Sequence, residues 1–271
     1  MDILLYILIF IMGIVFGSFF SLAIYRIPKN QDITHTHSYC PNCNHKLGFL
    51  DLIPVFSYIF LLGKCRYCKK RIRPRYFILE ILSGITFVLV AYFMNVRIDN
   101  LTPTVLAESA FLALYLCFIF IMAGIDLENR KIEKSISMYG VMIALAYIIY
   151  LCVVEQASIY RYIIYLVIYV AVLILDVVTL KRYAKNSYVN GVILTVVTMS
   201  IFTGEYVTIN TLLMTALVVA FSFLLQKIQN IRKRVRRESK DYGANIHYGF
   251  LLAISNILNY VFILSLYKLW V

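Results

Sequence analysis

Long apolar runs separated by short polar segments recur along the whole chain. A helix needs about 20 apolar residues to cross a bilayer, and eight runs reach or approach this length. They lie near 2–24, 77–96, 104–124, 137–154, 161–180, 191–203, 208–226 and 248–267. The sixth is short, so seven spans is the alternative count. Because lipid offers no partner for open backbone groups, and the alternation of a barrel strand is absent, the pattern predicts an all-α polytopic membrane protein.

The composition agrees with this prediction. Of the 271 residues, 62% are hydrophobic and 15% are charged, well below the roughly 25% of charged residues in soluble domains. The first apolar run is expected to be a span rather than a cleaved signal peptide, because it lacks a basic leader region and is followed by Arg26 and Lys29.

The basic residues fall on one side of the predicted membrane. With eight spans, 23 of the 26 Lys and Arg residues lie in the segments 25–76, 125–136, 181–190 and 227–247. The positive-inside rule makes this side cytoplasmic and puts both termini outside. We interpret the net charge of +12, and its cluster IRKRVRRESK at 231–240, as a topology determinant that contacts anionic lipids, not as a nucleic-acid surface.

Four cysteines of the first cytoplasmic segment form two CxxC pairs with 21 residues between the pairs. They are Cys40, Cys43, Cys65 and Cys68. Four thiolates in two pairs suit the closed tetrahedral shell of a structural Zn²⁺ site, and a reducing cytoplasm disfavours disulfides. His45, His35 and His37 are alternative ligands, which we expect to be solvated loop residues instead.

Several stretches resemble bacterial type IV prepilin peptidases. The first two are GSFFSLAIYRIP (17–28) and YCPNCNHKLGFLDLIPVFSYIFLLGKCRYCKKRIRPRYFILEIL (39–82), which includes both cysteine pairs. Further on, AGIDLENRKIEKSIS (123–137) is similar to the segment with the first catalytic aspartate of the family, and NIHYGFLLA (245–253) to its late Ile-Pro-Phe-Gly-Pro-Phe-Leu-Ala motif.

The resemblance implies an eight-helix GxGD-type aspartic peptidase of the bacterial inner membrane. Such an enzyme cleaves the leader from pilin-like precursors and, in many members, methylates the new N-terminus, which requires S-adenosylmethionine. Asp126 becomes the candidate catalytic residue, against the alternatives of a helix cap or an ion pair with Arg130. The expected division is 1–76 for the first helix and zinc loop, and 77–271 for the peptidase-like helices.

The chain departs from the family pattern at the second catalytic aspartate. The GxGD segment aligns with SYVNG at 187–191, which contains no carboxylate, and Asn190 occupies or adjoins the aspartate position. The late motif has His247 and Phe250 in place of its two prolines. One hypothesis is a peptidase in which Asp176 supplies the second carboxylate, although contact with Lys181 or Arg182 also explains Asp176.

The competing hypothesis is a catalytically impaired homologue, a membrane scaffold that binds pilin-like proteins. A small transporter is a third interpretation, based on Glu108 and Asp176 inside the spans, but it does not explain the cysteines. Glu80, at the start of the second span, is expected to form a helix-end ion pair with Arg75 or Arg73.

Overall fold

The computed structural model describes residues 2–35, 37–179, 186–235 and 247–270. Within these ranges the chain is helical with no strand. The nine α-helices are α1 (Asp2–Arg26), α2 (Phe56–Phe60), α3 (Arg75–Phe93), α4 (Pro103–Asn129), α5 (Lys134–Val153), α6 (Tyr160–Thr179), α7 (Asn186–Thr203), α8 (Glu205–Val235) and α9 (Tyr248–Trp270). The all-α prediction is confirmed.

All eight predicted spans coincide with helices, but only six of these are long and apolar enough to cross a membrane. The described apolar parts of α6 and α7, Tyr162–Leu175 and Tyr188–Thr203, are shorter. A count of eight spans is therefore not confirmed. The chain is a multi-pass membrane protein with at least six candidate spans among its described residues.

The chain divides into two compact units. Unit 1 contains residues 1–125 and 264–271, and unit 2 contains residues 126–263. The division falls inside α4, between Ile125 and Asp126, and not at residue 76, where the sequence suggested a functional boundary. That functional division stays a prediction.

Unit 1 is built on close antiparallel packing of α1 against α3. A Cβ atom on Gly13 would lie 2.8 Å from the Cα atom of Gly84, and one on Gly17 would lie 2.7 Å from the Cα atom of Glu80. Small residues four apart let two apolar helices approach to backbone contact, where van der Waals packing replaces the hydrophobic effect. Phe16 and Phe87 stack beside this contact.

The cysteine segment connects α1 to α3 and includes the short helix α2. It begins where Arg26, the last residue of α1, donates from its guanidinium to the main-chain carbonyls of Asp32 (2.8 Å) and His37 (3.0 Å). Arg26 is buried. The end of the first span therefore holds the start of the cysteine segment through a charge-assisted contact.

Unit 2 is organised around α7, which packs against α5, α6 and α8. Tyr147 of α5 stacks on Phe202 of α7 with ring centroids 4.7 Å apart, and the hydroxyls of Tyr169 and Thr198 lie 2.9 Å apart. Buried threonines of α7 and α8 donate their hydroxyls to the carbonyl four residues earlier, which satisfies them inside an apolar bundle. They are Thr195, Thr198, Thr203, Thr208, Thr211 and Thr215.

Candidate functional site

The two cysteine pairs lie in turns of the same construction. In the first, the Cys40 N–H donates to the carbonyl of His45 (3.0 Å), and the Asn44 N–H donates to the carbonyl of Cys40 (2.8 Å). The second turn repeats both bonds at Cys65, with Lys69 in the place of Asn44. Asn44 and Lys69 both have a left-handed backbone, with φ of 55° and 58°. Each turn thus presents its two sulfurs on one side.

The four cysteines come together as one cluster in unit 1. Their Sγ atoms all lie within 4.8 Å of one another, and those of Cys40 and Cys68 are 3.9 Å apart. A tetrahedral Zn²⁺ with Zn–S bonds of about 2.3 Å needs sulfurs about 3.8 Å apart, so the cluster has the size of a metal site. The predicted grouping of the cysteines is confirmed, and a metal such as zinc fits it.

Two of the three histidines named as alternative ligands have other partners. His45 packs its ring on Tyr67, with centroids 3.6 Å apart, and His35 hydrogen-bonds to Asp32. Among the described residues, only the four cysteines form a group able to hold a metal ion.

The electrostatics of the cluster favour a cation. Burial acts to raise the pKa of Cys40, but the N–H groups of Asn42 and Cys43 lower it to about 7. The N–H of His45 acts to lower the pKa of Cys43, but burial and the neighbouring Cys40 and Cys68 raise it to about 11. Like charges this close cannot all form together unless a cation compensates them.

Asp126, near the C-terminal end of α4, is completely buried, with 0% exposure. Its carboxylate accepts a hydrogen bond from the Tyr188 hydroxyl at 2.9 Å and one from the Phe250 N–H at 3.0 Å. Within the described part of the chain these are its two partners. The Asp126 carbonyl accepts bonds from the Arg130 N–H (2.9 Å) and the His247 Nδ1–H (2.7 Å).

Tyr188 connects Asp126 to the beginning of α9. The N–H groups of Tyr248 and Gly249 point at its hydroxyl oxygen, at 3.1 and 3.3 Å. The first N–H groups of a helix have no partner inside the helix and carry the positive end of its dipole. Here the Tyr188 oxygen and the Asp126 carboxylate receive three of them, so the N-terminus of α9 is capped by side chains from α4 and α7.

Three residues of the family-like motifs form hydrogen bonds with Asp126. Tyr188 occupies the variable position of the GxGD segment, and its role was missed from the sequence because a tyrosine there carries no distinctive pattern. His247 and Phe250 replace the two prolines of the late motif, and each donates a hydrogen bond to Asp126. A proline at residue 250 would have no N–H to donate.

The other candidates give less information. Asn190 lies half-buried in α7, two residues after Tyr188, and is not a hydrogen-bond partner of the Asp126 carboxylate among the described residues. Residue 176 belongs to α6, but its side chain, like Lys181 and Arg182, lies outside the described residues. The side chains of the basic cluster at 231–240 also lie outside them.

The structure thus defines a class: a helical multi-pass membrane protein with a four-cysteine loop after its first helix and a buried aspartate at the end of α4. Residues 11–94 match the bacterial Peptidase A24 N-terminal domain. That match includes α1, the cysteine loop and α3.

Curated proteins named prepilin leader peptidase/N-methyltransferase are similar to this chain. The protein from Klebsiella pneumoniae is 29% identical over 48% of the chain, that from Vibrio cholerae 35% over 32%, and that from Bacillus subtilis 31% over 49%. The matches span 56%, 36% and 50% of those relatives, about half their length or less. The resemblance to type IV prepilin peptidases is confirmed. No solved structure matches the chain.

Proposed function

We propose that this protein is a membrane aspartic endopeptidase that cleaves the leader from pilin-like precursors. The observation that carries the proposal is Asp126, a fully buried carboxylate next to a second proton-bearing group. The names of the similar proteins support the same reaction, because each is a prepilin leader peptidase.

The chemistry needs one group to take a proton from water and another to give a proton to the scissile carbonyl. In an aspartic dyad both groups are carboxyls that share a proton. In this chain Asp126 acts as the acceptor and Tyr188 as the donor, 2.9 Å from it. Water attacks the carbonyl carbon as Asp126 takes its proton and Tyr188 gives its own proton to the carbonyl oxygen, while the two N–H groups of α9 stabilise the Tyr188 oxygen. The C–N bond of the resulting tetrahedral intermediate then breaks, the proton on Asp126 passes to the leaving amine, and Tyr188 regains its proton from the hydroxyl of the intermediate.

The cysteine cluster holds one structural Zn²⁺ through four thiolates. A closed shell of four protein ligands leaves no position for water, so the metal stabilises the loop and takes no part in cleavage. If the protein also methylates the new N-terminus, as the names of its relatives indicate for them, S-adenosylmethionine supplies an electrophilic methyl group.

The proposed location is the bacterial inner membrane, with the cysteine loop and the Asp126 end of α4 on the cytoplasmic side. The partners are then pilin-like precursors and anionic lipids, and nucleic acid is not a ligand. The apolar segment of a precursor would lie in the membrane beside the spans, with its charged leader near the basic loops.

One observation favours a second function, that of a scaffold which binds pilin-like proteins without cleaving them. Both carboxylate oxygens of Asp126 are already hydrogen-bonded, to the Tyr188 hydroxyl and to the Phe250 N–H. Asn190 occupies or adjoins the expected position of the second aspartate. A carboxylate that caps a helix in this way has a structural role that needs no catalysis.

Co-expression with a pilin-like precursor from the same genome, followed by mass spectrometry of the precursor's N-terminus, tests the proposal. Cleavage should be lost in Asp126→Asn and kept in Glu128→Gln, which changes an exposed carboxylate of the same helix. Cleavage that survives Asp126→Asn would exclude Asp126 as the catalytic residue. Failure of the native protein to cleave any pilin-like precursor of its genome would support the scaffold.

A further inference from the structure

The cysteine loop exposes large apolar side chains, although it lies outside the predicted spans. Six of them lie between the two cysteine pairs, and each is more than half exposed. Apolar residues that gather on a polar surface mark sites of contact with proteins or membranes. The six are Phe49, Leu50, Phe56, Ile59, Phe60 and Leu62.

Three of these residues form one face of α2. Phe56, Ile59 and Phe60 are three and four residues apart, the spacing that puts side chains on the same side of a helix. Tyr58, on the opposite side, stacks on Phe77 of α3 with ring centroids 4.9 Å apart. The short helix α2 is therefore held against α3 by one face and presents an apolar face outward.

The contact with α3 puts α2 at the edge of the bilayer. α3 has 19 residues, which is about 28 Å at a rise of 1.5 Å per residue. The hydrocarbon core is roughly 30 Å thick, so α3 needs its whole length to cross. Phe77 lies in the first turn of α3. The outer face of α2 therefore lies at the depth where the acyl chains begin.

Glu80, the sixth residue of α3, helps to fix α2 at this depth. Its buried carboxylate accepts a hydrogen bond at 2.8 Å from the N–H of Val55, the residue before α2. Val55 has a backbone φ of 64°, which is unfavourable for a β-branched residue, and the bond helps to hold this bend. The expected ion pair of Glu80 with Arg75 or Arg73 is wrong, because within the described residues Glu80 forms no ion pair.

The same loop is strongly basic. Residues 46–73 contain seven Lys and Arg residues but one acidic residue, Asp51, which pairs with Arg66 at 2.6 Å. Apolar side chains beside basic ones are typical of elements that lie in the interface of an anionic membrane. The six other basic residues are all exposed, and they are Lys46, Lys64, Lys69, Lys70, Arg71 and Arg73.

We propose that the cysteine loop is an interfacial anchor. Its exposed apolar residues enter the cytoplasmic leaflet, and its basic residues bind the phosphate headgroups of anionic lipids. The occupant is lipid, because α2 is held at the depth of the acyl chains and the charges beside it are complementary to those of anionic headgroups. The inference rests on the proposed cytoplasmic location of the loop, and it does not depend on leader cleavage.

Quenching of tryptophan fluorescence tests this contact in the full-length protein, embedded in nanodiscs of phosphatidylglycerol. The chain has one tryptophan, Trp270, which is first replaced by phenylalanine. Phe60→Trp then introduces a single probe, which bromine atoms on the acyl chains quench on contact. Because an interfacial element lies about 5–10 Å into the boundary of headgroups and acyl chains, bromines near the headgroup should quench this probe more than bromines near the chain end.

Two further variants calibrate the measurement. Ile11→Trp puts the probe at an exposed position in the middle of α1, and bromines near the chain end should quench it more strongly. His35→Trp puts the probe in the polar part of the loop, where the His35 side chain is 88% exposed beside Asp32. Neither brominated lipid should quench it appreciably.

The contribution of charge is measured with Phe60→Trp in nanodiscs of zwitterionic phosphatidylcholine, where quenching should be weaker. In phosphatidylglycerol, adding Lys70→Gln should lower the ratio of inserted to free loop by about 5-fold, the usual contribution of one basic residue at an anionic surface. The matched control is Lys131→Gln, which removes an exposed charge between α4 and α5 and should leave the quenching unchanged.

Quenching of Phe60→Trp no stronger than that of His35→Trp would overturn the proposal. A signal that ignored lipid and responded to an added pilin-like precursor would assign the apolar face to a protein partner instead. Equal quenching in the two lipids would overturn the role of the basic residues. None of these measurements uses leader cleavage, so repeating them on Asp126→Asn protein separates failure of this inference from failure of the proposed function.

Discussion

The position of Asp126 depends on individual atoms contributed by distant residues. Its two carboxylate partners, Tyr188 and Phe250, are 62 and 124 residues away in the chain. Phe250 donates its backbone N–H to the carboxylate, and a proline at this position would have no N–H to donate. Two substitutions relative to the family pattern, His247 and Phe250, therefore contribute hydrogen bonds to Asp126.

At the residue scale, Tyr188→Phe should lower leader cleavage by about 100-fold or more, the usual contribution of a positioned proton donor. The change removes the hydroxyl that donates to Asp126 and leaves the ring in place. Tyr169→Phe, which removes the hydroxyl next to Thr198, is the control and should cleave at the native rate. The rate is followed by mass spectrometry of the precursor. Native-rate cleavage by Tyr188→Phe would assign its hydroxyl to helix capping alone.

At the scale of elements, the cysteine loop is made of two turns with the same backbone bonds around the same spacing. Neither turn contains enough apolar residues to form a core, and Cys43 is exposed. Small folds of this kind usually obtain their stability from a metal. Cys40 and Cys65 of the loop also line a cavity of unit 1 that lies between the loop and the ends of α1 and α3.

We therefore predict one zinc ion per chain, bound by the four thiolates. Elemental analysis of purified protein should find about one Zn²⁺ in the native chain and close to none in Cys65→Ser, because a tetrahedral shell that loses one of its four ligands binds far more weakly. Cys152→Ser, which changes a cysteine of α5 outside the cluster, should keep its metal. Native protein purified without metal would contradict the assignment.

For the whole molecule, the distribution of charge gives an orientation. With the eight predicted spans, 23 of the 26 Lys and Arg residues collect in alternate connections on one side of the membrane. Such a bias orients membrane proteins during insertion. We therefore predict that the loop between α4 and α5 is cytoplasmic and that the loop between α5 and α6 is outside.

Reporter fusions test this topology. Alkaline phosphatase, which is active only outside the cytoplasm, should be inactive when fused after Lys131 and active when fused after Glu155, because α5 crosses the membrane between them. A fusion after residue 235 should also be inactive. Activity of the fusions after 131 or 235 would reverse the predicted orientation or change the number of spans.

The sequence by itself determined the helices and the cysteine cluster. A run of apolar residues is sufficient to predict a helix in lipid, because every backbone group must be paired within the segment. Two CxxC pairs are sufficient to predict a metal cluster, because few other arrangements use four thiols at that spacing in a reducing compartment. Both inferences depend on local patterns. The helices and the grouping of the four cysteines are confirmed among the described residues, and the bound metal stays a prediction.

Only the tertiary structure decided what surrounds the two acidic residues. The sequence allowed Arg130 as the partner of Asp126 and suggested Arg75 or Arg73 for Glu80, because they are neighbours along a helix. In the fold, Asp126 meets Tyr188 and the start of α9, and Glu80 meets Val55. These partners come from other segments of the chain. The residue types of a sequence do not show which backbone N–H groups will act as donors. A buried carboxylate accepts hydrogen bonds from the donors that pack against it. The free energy lost by leaving it without hydrogen bonds would exceed what any interaction with a neighbour along the helix contributes.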